Sequence, residues 1–265
     1  MDIVPARSHG PRMKQSLKLV GKSAPELDLE ALNGELESAT AEEILGWTRD
    51  TFGDSVILTS SFGADAALML HLVTRVLPRV RVVFLDTGYL FPETYRFAEE
   101  LTKRLSLDVR VFAPTMTAAR QEALFGKLWE GGEAELEQYQ RINKVEPLDR
   151  ALAELAPRAW LAGVRSRQTA HRATLRTVEQ QGSIYKIHPI LRWDDEAVHH
   201  YLRANDLPYH PLRARGYRSI GDAHSTSATR EGEDPRAGRR LGAKLECGIH
   251  LPRQAQDESR KSSGL

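Results

Sequence analysis

The sequence predicts an α/β fold, an open parallel sheet covered by helices on both faces. Short strand-like runs recur at 56–58, 80–85, 109–112, 159–163 and 184–187, and those at 80–85 and 159–163 are the near-continuous apolar kind expected of strands buried on both sides. Segments with helical periodicity separate the first three of them, as βαβ units require. Small hydroxyl residues, an Asp-Thr-Gly turn and a basic run each follow one of these strands. That is the end of the sheet where open α/β folds place their ligand contacts.

Composition sets the outer bounds. At 265 residues the chain can bury a real core and form one large domain, or one domain with an appendage. Lys and Arg number 37 against 36 Asp and Glu, a formal charge of +1, so no long nucleic-acid surface is expected and local basic clusters carry the information. No apolar run approaches the roughly 18 residues of a membrane span. Residues 1–22 carry Arg7, Arg12, Lys14 and Lys18 without the apolar core of a secretory signal, and read as a loose leader. The single cysteine, Cys247, excludes an internal disulfide and an all-cysteine iron–sulfur cluster within one chain. A reducing cytoplasm is the expected compartment.

Taken in order, Thr40-Ala-Glu-Glu43 is a capping box opening a helix through Ile44 and Trp47. After the strand at 56–58 come Thr59, Ser60, Ser61 and Gly63, then an Ala/Leu/Met-rich helix. Such a strand–turn–helix aims backbone N–H groups and a helix dipole at one point, which suits phosphate or sulfate. An ordinary connecting turn would look similar. Neither the P-loop nor the dinucleotide glycine pattern is present. Pro78 ends the helical pattern, the strand at 80–85 follows, and Asp86-Thr87-Gly88 closes it. Pro92 then starts a helix striped with Tyr95, Ala98, Leu101 and Leu105.

Residues 125–139 read as helices around a flexible turn, and Leu148, Ala151, Leu152 and Leu155 mark one side of a helix closed by Pro157. The strand at 159–163 ends in Arg165-Ser-Arg167-Gln168-Thr169-Ala-His171-Arg172, four basic or potentially basic side chains able to present guanidinium forks to anionic oxygens. After the strand at 184–187, Asp194 caps a helix whose first turn holds Asp195 and Glu196. A Pro- and Gly-dense loop region covers 207–222. His199, His200, His210 and His224 match no recognised ligand spacing, so no metal is expected. From 227 to 246 charged residues and glycines dominate, the composition of a mobile arm.

Five segments together resemble one family. Ser60-Ser61-Phe62-Gly63-Ala64-Asp65-Ala66-Ala67 looks like a modified pyrophosphate loop, and Leu85-Asp86-Thr87-Gly88 with its continuation to Tyr95 is a second match. Asn143-Lys144-Val145-Glu146-Pro147, the Arg165/Gln168/Arg172 pattern, and a tail from Gly232 through Arg239 to Glu246-Cys247-Gly248-Ile249-His250 complete the set. Over about 47–250 the chain resembles the assimilatory, thioredoxin-dependent phosphoadenylyl-sulfate reductases, cluster-free relatives of the ATP pyrophosphatases. The resemblance implies an adenine nucleotide α-hydrolase-like fold, with a leader at 1–39, a nucleotide-binding α/β domain at 40–226 and a mobile arm at 227–265.

It also implies the chemistry. Ser60, Ser61, Phe62, Gly63 and Asp65, with Arg165, Gln168 and Arg172, would surround the anhydride of 3′-phosphoadenylyl sulfate. Leu85, Asp86, Thr87 and Gly88 would lie against the adenosine, with Lys144, His224, Arg236 and Arg239 among the remaining contacts. Cys247 would take the sulfonate, with Lys244 and His250 as auxiliary groups. Reduced thioredoxin or glutaredoxin would be the co-substrate, no cofactor would be bound, and the protein would be a homodimer. Two departures bear on this expectation. Gly221-Asp222-Ala223-His224 stands where a cluster-bearing relative has cysteines, which favours the 3′-phosphorylated substrate. Asp65 is an acidic residue that the family loop rarely needs, and it resembles the loop of adenylating pyrophosphatases. The rival readings are an ATP pyrophosphatase-type adenylating enzyme, a cluster-free adenylyl-sulfate reductase, and a non-catalytic nucleotide sensor.

Overall fold

A computed structural model describes residues 26–230 and 232–239. The leader at 1–22 and the tail residues Lys244, Cys247 and His250 lie outside the described residues.

The described chain begins with α1 (Leu29–Glu35), whose N-cap Asp28 accepts from the amides of Glu30 and Ala31. Asn33, buried on this helix, exchanges hydrogen bonds with both backbone groups of Val178. Leu36 follows in the main core. Within the stretch 1–39, residues 29–38 thus pack against the sheet and its core. The Thr40 capping box is present, with Thr40 and Glu43 satisfying each other's amides at the start of α2 (Ala41–Phe52).

The sheet then assembles by alternation of strand and helix: β1 (Val56–Ser60), α3 (Ala66–Val76), β2 (Arg81–Leu85), α4 (Pro92–Leu105) and β3 (Asp108–Phe112). After it come α5 (Ala118–Phe125), α6 (Glu133–Gln140), α7 (Glu146–Leu155), β4 (Ala159–Ala162), α8 (Ala170–Ala173), β5 (Val178–Gln181), β6 (Ile184–Ile187) and α9 (Asp195–Ala204). Strand order is β3-β2-β1-β4-β6-β5. Every pairing is parallel except β5 with β6, which is antiparallel. The sheet is thus the expected open parallel one, extended at one edge by a single antiparallel strand, β5. The reason is local: Gly182 takes φ +63° and turns the chain straight back, and a two-residue turn joins strands that run in opposite directions.

The pleat divides the core in two. Val56 and Leu58 of β1 and Val82 and Phe84 of β2 join the α2, α3, α4 and α9 face, while Ile57 and Val83 join Trp160, Leu148, Ala151 and Leu152 on the α7 face. Because both faces are covered, Ile57, Leu58, Val82 and Val83 are completely buried, each worth about 1.5–3 kcal/mol relative to an exposed side chain. The stripe expected on α4 holds, with Thr94 and Phe97 added to its buried side. The order places β1 and β4 at the centre, and their C-terminal ends side by side. It is there that the chemistry-bearing segments meet.

Candidate functional site

The loop after β1 is shaped by one left-handed residue. Phe62 takes φ +48° and drives its ring into the core against Phe84, centroids 4.9 Å apart, so only its backbone remains at the strand end. Its amide donates to Ser60 Oγ at 3.1 Å, while Ser61 stays exposed. Thr59, read from the sequence as a further hydroxyl for the loop, points to the opposite face and accepts from the Trp160 indole at 2.8 Å. The helix that follows, α3, has eleven residues and begins just beyond Asp65, so its dipole is aimed at the loop.

At the end of β2, Asp86 Oδ1 accepts from the Gly88 amide at 2.9 Å and from the Tyr95 hydroxyl at 2.6 Å. This holds the turn in which Gly88 sits at φ +75°, a conformation that favours glycine. Burial, then the Asp86 contact, pushes the Tyr95 hydroxyl well above its ordinary pKa. Leu85 is half-buried against the α7-face core. Thr87 is buried and donates to Asp222 Oδ1 at 2.6 Å.

Lys144 lies on a π-helical turn, Arg141–Val145, between α6 and α7. Such turns often mark functional positions. Its ammonium is buried and pairs with Asp222 Oδ2 at 2.6 Å, so the lysine expected among the nucleotide contacts already holds a carboxylate. Beside this pair His224 stacks on Trp129 at 4.1 Å and meets the edges or faces of Tyr139 and Tyr89. Both of its ring nitrogens are buried without a hydrogen-bond partner. Burial lowers its pKa to about 4, against the pull of Asp222.

Beyond β4, Arg165 is buried, with NH1 on Asp195 Oδ1 at 2.6 Å and NH2 at 3.6 Å from Asp65 Oδ2. Gln168 Oε1 accepts from the Arg165 amide at 3.1 Å and from the Arg172 guanidinium, which ties the whole pattern into one knot on a short turn. Arg172 is itself buried. Residues 226–227 and 238–239 pair with one another: Ser227 N donates to Gly238 O at 2.8 Å, and Thr226 forms a β-bridge with Arg239. The Arg239 guanidinium lies over Gly221 and reaches Ser219 Oγ at 3.4 Å. Arg236 is half-buried there, its amide on Asp234.

Four separate motifs therefore converge at the C-terminal edge of β2, β1 and β4. A profile of the phosphoadenosine phosphosulfate reductase domain matches residues 55–228, the span that contains all four. The chain belongs to this reductase family. A Synechocystis protein named phosphoadenosine 5′-phosphosulfate reductase is 50% identical over 228 residues, 85% of this chain and 92% of that protein. One of the same name from Alkalilimnicola ehrlichii is 48% identical over 223 residues, 84% of this chain and 91% of that protein. The crystal structure of the Candida auris phosphoadenylyl-sulfate reductase in complex with phosphate superposes with a TM-score of 0.68 at 31% identity, covering 77% of this chain and all of that one. Candida glabrata FMN adenylyltransferase shares the fold at 16% identity, with a TM-score of 0.56 over 82% of this chain and 71% of that one. The adenine nucleotide α-hydrolase-like architecture is thus common to the reductase family and to enzymes of other chemistry.

Within this reductase fold the structure also brings in residues to which the sequence assigned no role at the site. Asp222, Trp129, Tyr139 and Tyr89 line the His224 environment, and Asp195, read only as a helix-dipole residue, anchors Arg165. Arg213 joins Asp65 at 2.8 Å. Their sequence surroundings, a Pro- and Gly-dense loop and an acidic first helical turn, carried no signal of these pairings. Among the described residues no three His, Cys, Asp or Glu side chains are gathered for a metal, and no helix is long and apolar enough to cross a membrane.

Proposed function

We propose that the chain reduces 3′-phosphoadenylyl sulfate to sulfite and adenosine 3′,5′-bisphosphate, with Cys247 as nucleophile and a dithiol protein of the thioredoxin or glutaredoxin type as electron donor. The observation that carries this reading is the convergence of the Ser60–Gly63 loop, the Asp86–Gly88 turn and the Arg165/Gln168/Arg172 knot on one edge of the sheet. An anhydride between sulfate and phosphate needs N–H and guanidinium donors on both groups before a thiolate approaches. The helix dipole of α3 and the buried Arg165 and Arg172 supply that field.

In the first step the Cys247 thiolate attacks the sulfonate sulfur. The S–O bond to the nucleotide breaks, and the bisphosphate leaves with the bonding electrons. The protein is left with an S-sulfonated cysteine. A thiolate of the partner then attacks Cys247 Sγ, expels sulfite with the S–S bonding pair and forms a mixed disulfide. The second thiol of the partner resolves it, so the partner ends oxidised by two electrons and Cys247 is regenerated. With one cysteine in the chain, the second thiol has to come from outside. Arg239 and Arg236, eight and eleven positions before Cys247, are assigned to the remaining negative charge, with Lys244 and His250 beside the nucleophile. The same reading takes the protein as a cytoplasmic homodimer that carries no bound cofactor.

Intact-mass analysis of the reduced protein after exposure to 3′-phosphoadenylyl sulfate without thioredoxin tests it. The expected result is one added SO₃ on the wild type, none on Cys247→Ser, and release of sulfite when thioredoxin is supplied. An unmodified wild type with no bisphosphate formed would refute the proposal.

A further inference from the structure

Asp65 occupies the N-cap position of α3, yet its side chain makes no cap hydrogen bond. Its carboxylate instead faces two guanidiniums. Arg213 NH1 lies 2.8 Å from Oδ1 and Arg165 NH2 3.6 Å from Oδ2. Arg165 is drawn more closely to Asp195, at 2.6 Å, so the close counter-charge of Asp65 is Arg213.

Arg213 is itself held on several sides. It projects from the 3₁₀ turn Pro211–Arg215, its guanidinium carbon 5.0 Å from the centre of the Tyr209 ring and its NH2 2.8 Å from His199 Nε2. A guanidinium only donates. His199 Nε2 must therefore accept, which leaves the ring proton on Nδ1, where it meets the Tyr209 hydroxyl at 2.9 Å. A half-buried arginine pinned by a carboxylate, a histidine lone pair and an aromatic face is a constructed feature, not a solvated loop residue.

The electrostatics of the loop show what it is for. A carboxylate two positions beyond Gly63, at the mouth of an anion-binding turn, opposes the approach of any phosphate or sulfate. We propose that Arg213 is a charge-screening and positioning residue: it neutralises Asp65 so that the loop, the α3 dipole and Arg165 present net positive potential to the anionic end of the nucleotide. This rests on the nucleotide-site reading given above. It makes Asp65 and Arg213 a matched pair, in which the carboxylate left bare is worse than neither charge.

Binding of adenosine 3′,5′-bisphosphate, measured by calorimetry on the full-length protein, tests the pair through Arg213→Gln, Asp65→Asn, Arg213→Lys and the double variant Asp65→Asn/Arg213→Gln. Baring one carboxylate beside a bound anion predicts a weakening of about tenfold for Arg213→Gln. Asp65→Asn and the double variant are expected within about threefold of wild type, and Arg213→Lys, which keeps the charge, within about fivefold. The reductase reaction of Arg213→Gln would show the effect in KM with kcat nearly unchanged. A double variant as weak as Arg213→Gln, in a wild type that binds, would overturn the screen and leave the nucleotide site standing. A wild type with no affinity for the bisphosphate would overturn both.

Discussion

Lys144 and Asp222 form a buried ion pair, Nζ to Oδ2 at 2.6 Å, that fastens the π-helical turn before α7 to the loop carrying His224. Asp222 also accepts from Thr87 at 2.6 Å. One carboxylate thus joins three of the segments that converge at the sheet edge.

Removing either partner leaves an uncompensated charge indoors. Asp222→Asn or Lys144→Met is expected to cost about 3–5 kcal/mol in urea unfolding, with the double variant costing less than the sum. Burial works to raise the Asp222 pKa, but the Lys144 ammonium and the Thr87 hydroxyl outweigh it and bring the value to about 2 from 3.8. The unfolded chain then takes up the proton first as pH falls. The contribution of the carboxylate is complete above its unfolded value and disappears between about pH 4 and pH 2. Stability curves of wild type and Asp222→Asn should therefore converge in that window. Parallel curves would refute this role.

Three buried or half-buried histidines set a second, higher window. Burial lowers His188, His210 and His224 from 6.5 to about 4 each. His188 Nδ1 donates to the Arg176 carbonyl, which leaves Nε2 buried without a partner. His210 Nδ1 accepts from the Leu212 amide, so its proton sits on Nε2 toward Thr94. A second proton has no acceptor at the first and faces an N–H at the second. Stability contributed by the neutral rings is present above pH 6.5 and falls as pH drops from 6.5 toward 4, because the unfolded chain binds protons that the folded one refuses. Imidazole NMR resonances of these three residues should remain those of neutral rings at pH 5.5; protonated shifts there would contradict the prediction.

Two glycines separate backbone from side-chain tolerance in the 221–239 region. A Cβ at Gly238 would overlap the Ser227 carbonyl oxygen, which is backbone and cannot step aside. Gly238→Ala is therefore expected to part the Ser227–Gly238 contact and cost about 1–3 kcal/mol, seen as new protease cleavage between 226 and 239. A Cβ at Gly221 would overlap only the end of Arg239. Gly221→Ala should leave the unfolding midpoint almost unchanged while weakening nucleotide affinity, since the displaced group is a guanidinium. Equal loss of stability in both variants would argue against the distinction.

Much of this molecule was legible in one dimension. The Thr40 capping box and the Asp194 cap formed as expected because each satisfies its amides within three residues, and five strands were marked by short runs with apolar residues, although β3, at the sheet edge, is largely exposed, Val111 at 58%. Strand β5 was not. Val178-Glu-Gln-Gln181 has one apolar residue, and it is a strand because β6 and the Asn33 amide satisfy its backbone. The short helix α1 escaped notice for the same reason, since its position depends on that distant amide pair.

The fold class, the Ser60–Gly63 loop, the Asp86–Gly88 turn and the basic run at 165–172 were legible in the residues alone, because these signals are local: periodicity, turn chemistry and what may follow a strand. Only the tertiary structure decided which charges neutralise one another. Asp222 with Lys144, Asp65 with Arg213 and Asp195 with Arg165 are partners across long stretches of chain. A charged residue in a loop has the same sequence signature whether it is solvated or paired, and the choice between the two is made by burial, which exists only once the sheet has brought its strand ends together.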